Sequence, residues 1–331
     1  MQRGYNNLSH PRETPLDAHV ILNPTAGQTR TSVGLDRALD ALSAHGWTLC
    51  VRESQARGDV TRLAAAAARD GAEAVIVVGG DGTLSEAANG LAGTDTALGL
   101  LPMGTGNVWA AQLGMVASPT LLNKPDLLVA AENLAASRPR RVDMGQAHTI
   151  RGDRYFLLWA GVGLDAIIQD ALDTQARPVK RRFGQMAYVW AAARPIIQYQ
   201  GTRARVQLDT VRTRGRVVFL VISNVQMYAG FHLVPEAQID DGWLDIAIFE
   251  GHSWLDSLRH IGQLAVRRHL DDPAVRIYRA REVVVEADPS LLVHYDGDAL
   301  GATPLIARVA PQALTVLVPP SAPADLFATP S

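Results

Sequence analysis

Residues 75–91, with the sequence VIVVGGDGTLSEAANGL, constrain the fold more than any other part of the chain. Four apolar residues typical of a buried strand lead directly into Gly-Gly-Asp-Gly-Thr, and a helical pattern follows at once. Glycine permits backbone conformations and close approaches that other residues do not. The segment therefore predicts a strand, a tight turn and a helix in immediate succession.

The same alternation of strand and helix extends from about residue 18 to residue 101. The strand-like runs are continuously apolar, which is typical of a parallel sheet covered on both faces. One helical segment, DVTRLAAAAARDG, ends at Gly71, a residue favoured just after a helix. We predict an α/β N-terminal domain with a Rossmann-like parallel sheet.

The pattern changes after about residue 140, where short strand-like segments follow one another closely. Only a few helical stretches interrupt them, chiefly residues 181–198 and 253–270. This spacing predicts an antiparallel β-sandwich or barrel-like C-terminal domain. We divide the chain into a loose tail (1–17), an α/β domain (18–140), a β-sandwich domain (141–319) and a C-terminal tail (320–331).

Composition excludes several classes of protein. The 331 residues are 47% apolar and 19% charged, as in a well-packed globular protein. The net charge of -2 argues against a nucleic-acid binder, and the single cysteine, Cys50, excludes an intramolecular disulfide framework. Because no signal peptide and no run of about 18 apolar residues is found, we expect a cytoplasmic protein.

Three glycine-containing turns follow predicted strands: residues 23–27, 79–83 and 104–107. In an open parallel sheet, ligands bind beyond the carboxyl ends of the strands. Glycine turns and helix N-termini favour phosphate, but Asp81 would repel it unless a cation lay between them. Asp81 therefore suggests Mg²⁺ that bridges to a nucleotide.

These motifs resemble those of the diacylglycerol kinase catalytic family, which includes bacterial lipid kinases and sphingosine kinases. The resemblance covers residues 18–319 and is carried by NPTAG, GGDGTLSEAANGL, PMGTGN, WAGVGLDA, RRFGQMAY, VPEAQIDDGWLDI and HYDGD. It implies an NAD kinase-like nucleotide domain, a β-rich second domain, and Mg²⁺-dependent transfer of the γ-phosphoryl group of ATP to a lipid hydroxyl.

The resemblance also implies the nucleotide site, in which Asp81 would hold the metal as well. Glu86 has an alternative role as the capping partner of Thr83, since the two have Thr-x-x-Glu spacing. The implied nucleotide-binding residues are Asn23, Gly27, Gly79, Gly80, Asp81, Gly82, Thr83, Glu86, Gly104, Thr105, Gly106 and Asn107.

Asp298 would be the catalytic base that takes the proton from the attacking hydroxyl. The family usually has Asp-Gly-Glu at this point, whereas this chain has the shorter Asp298. Asp296 would reach the nucleotide or metal, although Asp-Gly-Asp between strands is also typical of a hairpin turn. A second departure is Val108, where bacterial diacylglycerol-type members generally carry an aspartate.

Asp165 resembles an aspartate that contacts the lipid head group in sphingosine kinases; a role in loop structure is the alternative. Asp240 and Asp241 match a segment that binds a structural Mg²⁺ in bacterial relatives, and a tight turn leading into a strand is the competing interpretation. For Asp143 we favour a structural role. Residues 180–198 combine a basic start with an apolar helix, which indicates either membrane contact or a packed helix.

The leading hypothesis is thus an ATP-dependent lipid kinase with a membrane lipid as substrate, peripheral membrane contact and no nucleic-acid partner. Whether it forms a homodimer is left open. Val108 and Asp298 together motivate one alternative, a nucleotide-binding regulatory protein without activity. A sphingoid kinase or NAD kinase-like enzyme is another, and PMGTGN argues against an NAD kinase.

Overall fold

A computed structural model of the chain describes residues 16–24, 32–104, 106–116, 125–171, 196, 198–228 and 230–328. These residues form two compact units. The first contains the described residues up to Arg140 together with Thr315–Ala322, and the second contains Arg141–Leu314 and the described residues from Pro323. Residues 315–319, which we expected in the second domain, thus lie with the first unit.

The first unit is an α/β layer structure. Its strands are β1 Leu16–Leu22, β2 Trp47–Glu53, β3 Ala74–Gly79 and β4 Ala97–Pro102. Its helices are α1 Ser32–Ala44, α2 Asp59–Arg69, α3 Asp81–Leu91, α4 Val108–Gln112 and α5 Leu127–Ala135.

The four strands form a parallel sheet in the order β2-β1-β3-β4. Every residue of β3 and β4 is buried, as their continuous apolar sequences predict for a sheet covered on both faces. At the centre, Ile76 of β3 pairs with Val20 on one side and Gly99 on the other. Helix α2 ends before Gly71, which has φ +86°, as predicted. The expected α/β domain with parallel strands is confirmed.

The second unit is rich in strands. The first of these are β5 Arg138–Thr149, β6 Gly152–Phe156, β7 Trp159–Gly163, β8 Thr202–Leu208, β9 Val211–Ser223, β10 Met227–Tyr228, β11 Phe231–His232 and β12 Leu244–Glu250. The later ones are β13 Val275–Ala280, β14 Glu282–Asp288, β15 Leu292–Tyr295, β16 Asp298–Ala302 and β17 Leu305–Val318. Helices whose bounds fall within the described residues are α6 Leu164–Ala171 and α7 Trp254–Ala265, with short 3₁₀ turns at His269–Asp271 and Ala324–Leu326.

Neighbouring strands within this unit pair antiparallel. Strand β9 pairs with β7, β8 and β12, while β15 pairs with β7 and β16. Their inward-facing side chains build one apolar core that includes Phe156, Leu220, Ile246 and Val293. The β-rich C-terminal domain is therefore confirmed.

Some of the sequence-based expectations fall outside the described residues. These are Gly27, Thr105 and the segment 180–198, apart from residues 196 and 198. In the part of the chain that the structure describes, no helix is both long enough and apolar enough to cross a membrane.

Candidate functional site

The turn between β3 and α3 is built from glycine. Gly79 ends β3, Gly80 precedes the helix in an extended conformation, and α3 begins at Asp81. A Cβ on Gly79 would lie only 2.8 Å from Thr83 Oγ1, so the position requires glycine. Gly80 is the N-cap residue of α3 and has no side chain that could bond the first amides of the helix. These backbone amides lie at the N-terminus of α3, the helix end that favours anions.

The turn after β4 lies directly against the first turn. A Cβ on Gly80 would lie 2.9 Å from Gly104 Cα, and one on Gly104 would lie 2.5 Å from Gly80 Cα. The Met103 amide also donates to the Gly79 carbonyl oxygen at 2.8 Å. The close contact of the two turns therefore depends on glycine at both positions.

Asp81 links the two turns. Its Oδ2 accepts a hydrogen bond from the Val108 amide and its Oδ1 accepts one from the Trp109 amide, each at 3.1 Å. These amides begin α4. Asn107 stands before them at φ +48° and folds the turn by bonding the amide and the carbonyl oxygen of Gly104. The carboxylate thus fixes the start of one helix against the start of another.

Asn23, which follows β1, joins the same site. Its Nδ2 donates to Thr83 Oγ1 at 2.9 Å. Residues from the ends of β1, β3 and β4 therefore lie together, as expected for the carboxyl ends of parallel strands. Their roles in nucleotide binding stay predictions. The predicted residues brought together here are Asn23, Gly79, Gly80, Asp81, Thr83, Gly104, Gly106 and Asn107.

Glu86 has a different neighbour from the one expected. Because Gly80 is the cap of α3 and Thr83 lies inside the helix, the proposed capping pair of Thr83 and Glu86 is wrong. Glu86 Oε2 instead accepts the Gly58 amide at 3.0 Å, just before α2 begins. Glu86 therefore connects α3 to the start of α2.

The residues of this site are compatible with a nucleotide-bound Mg²⁺. Among the described residues, no group of three or more His, Cys, Asp or Glu side chains could hold a metal alone. Mg²⁺ beside a nucleotide commonly uses only one or two carboxylates, with phosphate oxygens and water completing its shell. A carboxylate has about four acceptor sites, so the two amide bonds to Asp81 do not prevent it from contacting a cation.

Val108, the residue that departs from the bacterial pattern, has a packing reason. Its side chain is buried and its amide is bonded to Asp81. A carboxylate at this buried position would lose its hydration, which is unfavourable for a charged group without a compensating partner. An apolar residue avoids that cost.

The late Asp-Gly-Asp motif in the second unit is a two-residue hairpin turn. Asp296 and Gly297 both have positive φ, and Tyr295 pairs with Asp298 across the turn. The hairpin alternative raised from sequence therefore describes the backbone here. Asp298 is the first residue of β16.

Asp296 is buried and holds the backbone between β6 and β7. Its two carboxylate oxygens accept the amides of Leu157, Leu158 and Trp159 at 2.8–3.0 Å. These three amides belong to its own unit, and the expectation that this side chain reaches the nucleotide or metal stays a prediction. Its role is to fix the hairpin that carries Asp298.

Asp298 is partly exposed and paired. Arg154, on β6, places its guanidinium 3.0 Å from Asp298 Oδ2, with 22% of the Arg154 side chain and 26% of the Asp298 side chain exposed. This half-open position leaves the carboxylate accessible to a reacting group. The arginine fixes its direction.

Asp165 forms a cluster with His294 and Tyr228. His294 Nε2 approaches one carboxylate oxygen and the Tyr228 hydroxyl donates to the other. Gly161 makes room for the pair, since a Cβ there would lie 2.0 Å from Asp165 Oδ2. The Asp165 side chain is 16% exposed, so the cluster is mostly but not wholly enclosed.

The charges in this cluster follow from burial and proximity. Burial acts to lower the pKa of His294, but the neighbouring carboxylates, chiefly that of Asp165, outweigh burial and raise the pKa. Burial raises the pKa of Tyr228 well above its usual range, and Asp165 adds to the effect. The raised pKa of His294 favours the protonated form that pairs with Asp165, and the raised pKa of Tyr228 keeps its hydroxyl a donor.

Asp240 and Asp241 contact residues of their own unit, and their role as metal ligands stays a prediction. Asp241 is paired with the guanidinium of Arg279 and also accepts the Trp243 amide, while Asp240 accepts the Ala328 amide at 2.7 Å. A guanidinium already supplies positive charge beside Asp241. The backbone of the segment is a tight turn leading into β12, as the competing interpretation described.

Sequence reasoning missed three side chains of the second unit: Arg154, His294 and Tyr228. His294 is the first residue of the HYDGD motif, so its place in the motif was a usable signal. Arg154 and Tyr228 belong to no motif that we recognised. Their partners are 144 and 63 residues away along the chain, and only the fold brings them together.

Comparison with known families agrees with this architecture. The diacylglycerol kinase catalytic domain matches residues 17–147, and the YegS C-terminal NAD kinase beta sandwich-like domain matches residues 159–318. A protein named diacylglycerol kinase from Mycobacterium tuberculosis (strain ATCC 25618 / H37Rv) is 30% identical over 302 residues, which cover 90% of this chain and 94% of the relative. One of the same name from Bacillus subtilis (strain 168) is 27% identical over 87% of this chain and 91% of the relative.

A solved structure has the same fold. The crystal structure of a diacylglycerol kinase from Bacillus anthracis str. Sterne superimposes with a TM-score of 0.68 at 20% identity. The alignment covers 93% of this chain and 98% of that one. At this identity the likeness concerns the fold alone.

Proposed function

The chain belongs to the diacylglycerol kinase family, a family of phosphotransferases, and on that premise we propose that it transfers the γ-phosphoryl group of ATP to a hydroxyl of a membrane lipid. The observation that carries the proposal is the contact of Gly80 with Gly104, reinforced by Asp81. It gathers backbone amides, a helix N-terminus and a carboxylate at one end of a parallel sheet. This combination suits a nucleotide triphosphate.

The two glycine turns bind the phosphates in this proposal. The first-turn amides of α3 face the phosphate charge, and the absence of side chains at Gly80 and Gly104 allows close approach. Asn23 and Asn107 hold their turns in place through Thr83 and Gly104. Positioning of this kind is most of what phosphoryl transfer requires of a protein.

Asp81 is the residue that would hold Mg²⁺, together with phosphate oxygens. Bound there, the ion neutralises charge on the β- and γ-phosphates. Asp81 also keeps the start of α4 against the phosphate turns. Loss of this side chain should therefore affect both nucleotide affinity and the arrangement of the turns.

Asp298 is the proposed base. It accepts the proton of the lipid hydroxyl as the hydroxyl oxygen bonds to the γ-phosphorus and the bond to the ADP oxygen breaks. Its carboxylate is partly exposed and is oriented by Arg154. A base needs both properties, because it must lie within about 3 Å of the hydroxyl whose proton it takes. Asp296 supports it by fixing the hairpin.

Asp165 remains the proposed contact for the lipid head group, with His294 and Tyr228 around it. The carboxylate, the Tyr228 hydroxyl and the His294 ring offer hydrogen-bonding groups to a hydroxyl-bearing head group such as that of diacylglycerol.

The test is incorporation of label from γ-labelled ATP into a bacterial lipid extract, with purified diacylglycerol and sphingosine as separate arms. We expect label in the lipid phase with the extract and with diacylglycerol, abolished by Asp81→Ala and by Asp298→Ala. Asp36→Ala, at an exposed position on α1, is the matched control and should behave as the parent. Absence of incorporation in every arm, with nucleotide still bound, would favour an inactive nucleotide-binding protein.

A further inference from the structure

Helix α7 exposes its apolar face. At 100° per residue, Trp254, Leu255, Leu258 and Ile261 fall within an arc of about 120° that also contains Gly262 and Ala265. The exposed fractions of the four large side chains are 41%, 59%, 45% and 38%. We call these four residues the α7 apolar face. An amphipathic helix normally turns such a face toward the core, whereas this one turns it to solvent.

The other side of α7 is held by the buried Leu264 and by polar contacts. Ser253 and Asp256 form a capping box, and His260 is fully buried with its Nε2 2.8 Å from the Glu250 carbonyl oxygen. Arg259 pairs with Asp272 at 3.2 Å. These contacts orient the helix without using its apolar face.

The chain beyond the helix continues the same surface composition. Val266 and Leu270 are 64% and 50% exposed, and the exposed Arg267 and Arg268 lie between them. Arg268 is 3.6 Å from Asp271, but both side chains are more than 70% exposed, and so open an ion pair is weak enough to exchange for a lipid phosphate. Apolar side chains next to arginine are the composition that peripheral proteins use at an anionic bilayer surface. A tryptophan at the beginning of the apolar face fits the interfacial region, where indole rings are favoured.

We propose that the α7 apolar face is a membrane-docking surface that inserts shallowly into an anionic lipid bilayer, with Arg267 and Arg268 contacting lipid phosphates. A symmetric dimer through this face would bring the same patch against itself, arginines included, so the charge favours anionic lipid over a second copy. The proposal rests on the proposed function only in that a lipid kinase needs its substrate's membrane. It concerns a different segment from residues 180–198.

The direct test is co-sedimentation with vesicles, without ATP or substrate lipid. The parent chain should bind vesicles of phosphatidylglycerol and phosphatidylcholine at low salt. The pair Leu258→Asp and Ile261→Asp should weaken binding at least tenfold. The milder pair Leu258→Gln and Ile261→Gln should weaken it in the same direction. Val129→Asp is the matched control, because Val129 is a 52% exposed residue on helix α5; it should bind as the parent does.

A second set of measurements tests the two arginines and the alternative that the α7 apolar face binds a second copy of the chain. Arg267→Gln with Arg268→Gln should reduce binding to anionic vesicles while leaving the weak binding to pure phosphatidylcholine unchanged. Equal vesicle binding by the parent and the Leu258→Asp, Ile261→Asp pair would overturn the proposal. The proposal would also be overturned if light scattering showed that the parent is a dimer and that the Leu258→Asp, Ile261→Asp pair makes it a monomer without weakening vesicle binding.

Activity measurements separate this proposal from the proposed function. The Leu258→Asp, Ile261→Asp pair should retain activity toward detergent-dispersed diacylglycerol and lose it toward diacylglycerol in vesicles. If the parent phosphorylates no lipid yet binds anionic vesicles through this face, the proposed function fails and the docking surface stands. Equal loss of activity on both substrate forms would contradict docking as the role of the face.

Discussion

The guanidinium of Arg154 lies 3.0 Å from the carboxylate of Asp298. Arg154 belongs to β6 and Asp298 to the first position of β16, so two hairpins of the second unit are joined at the residue proposed as the base. Asp298 is one methylene shorter than the glutamate usual at this point in the family. The charged partner fixes the direction of this shorter side chain.

Arg154→Met should lower kcat about 10- to 100-fold with little change in KM for ATP, because a hydrogen bond to a charged group contributes about 1.5–3 kcal/mol. Arg154→Lys should recover part of the loss. Arg205→Met is the control, since Arg205 is 84% exposed and forms a long, solvent-exposed ion pair of 3.9 Å with Glu286. Steady-state kinetics of the three variants decide the matter. An Arg154→Met enzyme with full kcat would show that the pair does not position the base.

Gly80→Ala and Gly104→Ala should each weaken ATP binding at least tenfold while the protein stays folded. The added Cβ would approach the other glycine's Cα to 2.9 Å or 2.5 Å and force the two turns apart. Gly34→Ala, on α1 with nothing within 4 Å of the added Cβ, is the matched control and should bind as the parent. Titration calorimetry with a non-hydrolysable ATP analogue measures the affinity. Unchanged affinity in both variants would mean that the turns do not bind the phosphates.

Asp296→Ala should reduce the free energy of unfolding by about 3–5 kcal/mol, because it leaves three buried amides without an acceptor. Asp296→Asn should lose less, since asparagine keeps one acceptor oxygen and tolerates the positive φ. The comparison is Asp126→Ala, which removes an exposed helix cap and should cost about 1 kcal/mol. Denaturant unfolding gives all three values. A loss near 1 kcal/mol for Asp296→Ala would assign the residue a role other than holding the backbone.

Asp245 gives a pH-dependent prediction. Burial raises its pKa to about 6 from 3.8, against the opposing effect of Arg279, whose Nε lies 3.4 Å away. A carboxyl group whose pKa is raised on folding costs no stability below pH 3.8, and the cost grows until the folded-state pKa is passed. At roughly 1.4 kcal/mol per pKa unit, the cost above pH 6 is about 3 kcal/mol.

The stability of the Asp245→Asn variant relative to the parent should therefore rise by roughly 2–2.5 kcal/mol from pH 4 to pH 7. Urea unfolding of both proteins at half-unit pH steps measures the difference. Any constant loss from removing the contact with Arg279 cancels in the comparison across pH. A difference in unfolding free energy that stays flat from pH 4 to pH 7 would contradict the raised pKa.

The parts of the fold that follow from local sequence were predictable. Residues 75–91 fixed β3, its glycine turn and α3, because a continuous run of β-formers and a helical period are visible within one segment. The contact of Gly80 with Gly104 was foreseeable only as a consequence of parallel strands ending at the same place. Its closeness depends on backbone geometry that a sequence does not contain.

Side-chain partners distant in sequence were not predictable. Asp296 accepts hydrogen bonds from backbone amides that lie 137–139 residues away along the chain. Asp241 pairs with Arg279, which lies 38 residues away. Both were therefore assigned to nucleotide or metal from their motifs alone. Helix α7 shows the same limit, since a helical period identifies an apolar face but not whether the fold covers it.

The most direct test of phosphoryl transfer compares ATP labelled at the γ-phosphate with ATP labelled at the α-phosphate, each incubated with the protein, Mg²⁺ and diacylglycerol vesicles. We predict that the γ label, and not the α label, is extracted with the lipid, and that Asp298→Ala prevents its appearance. No lipid-bound γ label, under conditions in which ATP is bound, would contradict the assignment of this chain as a lipid kinase.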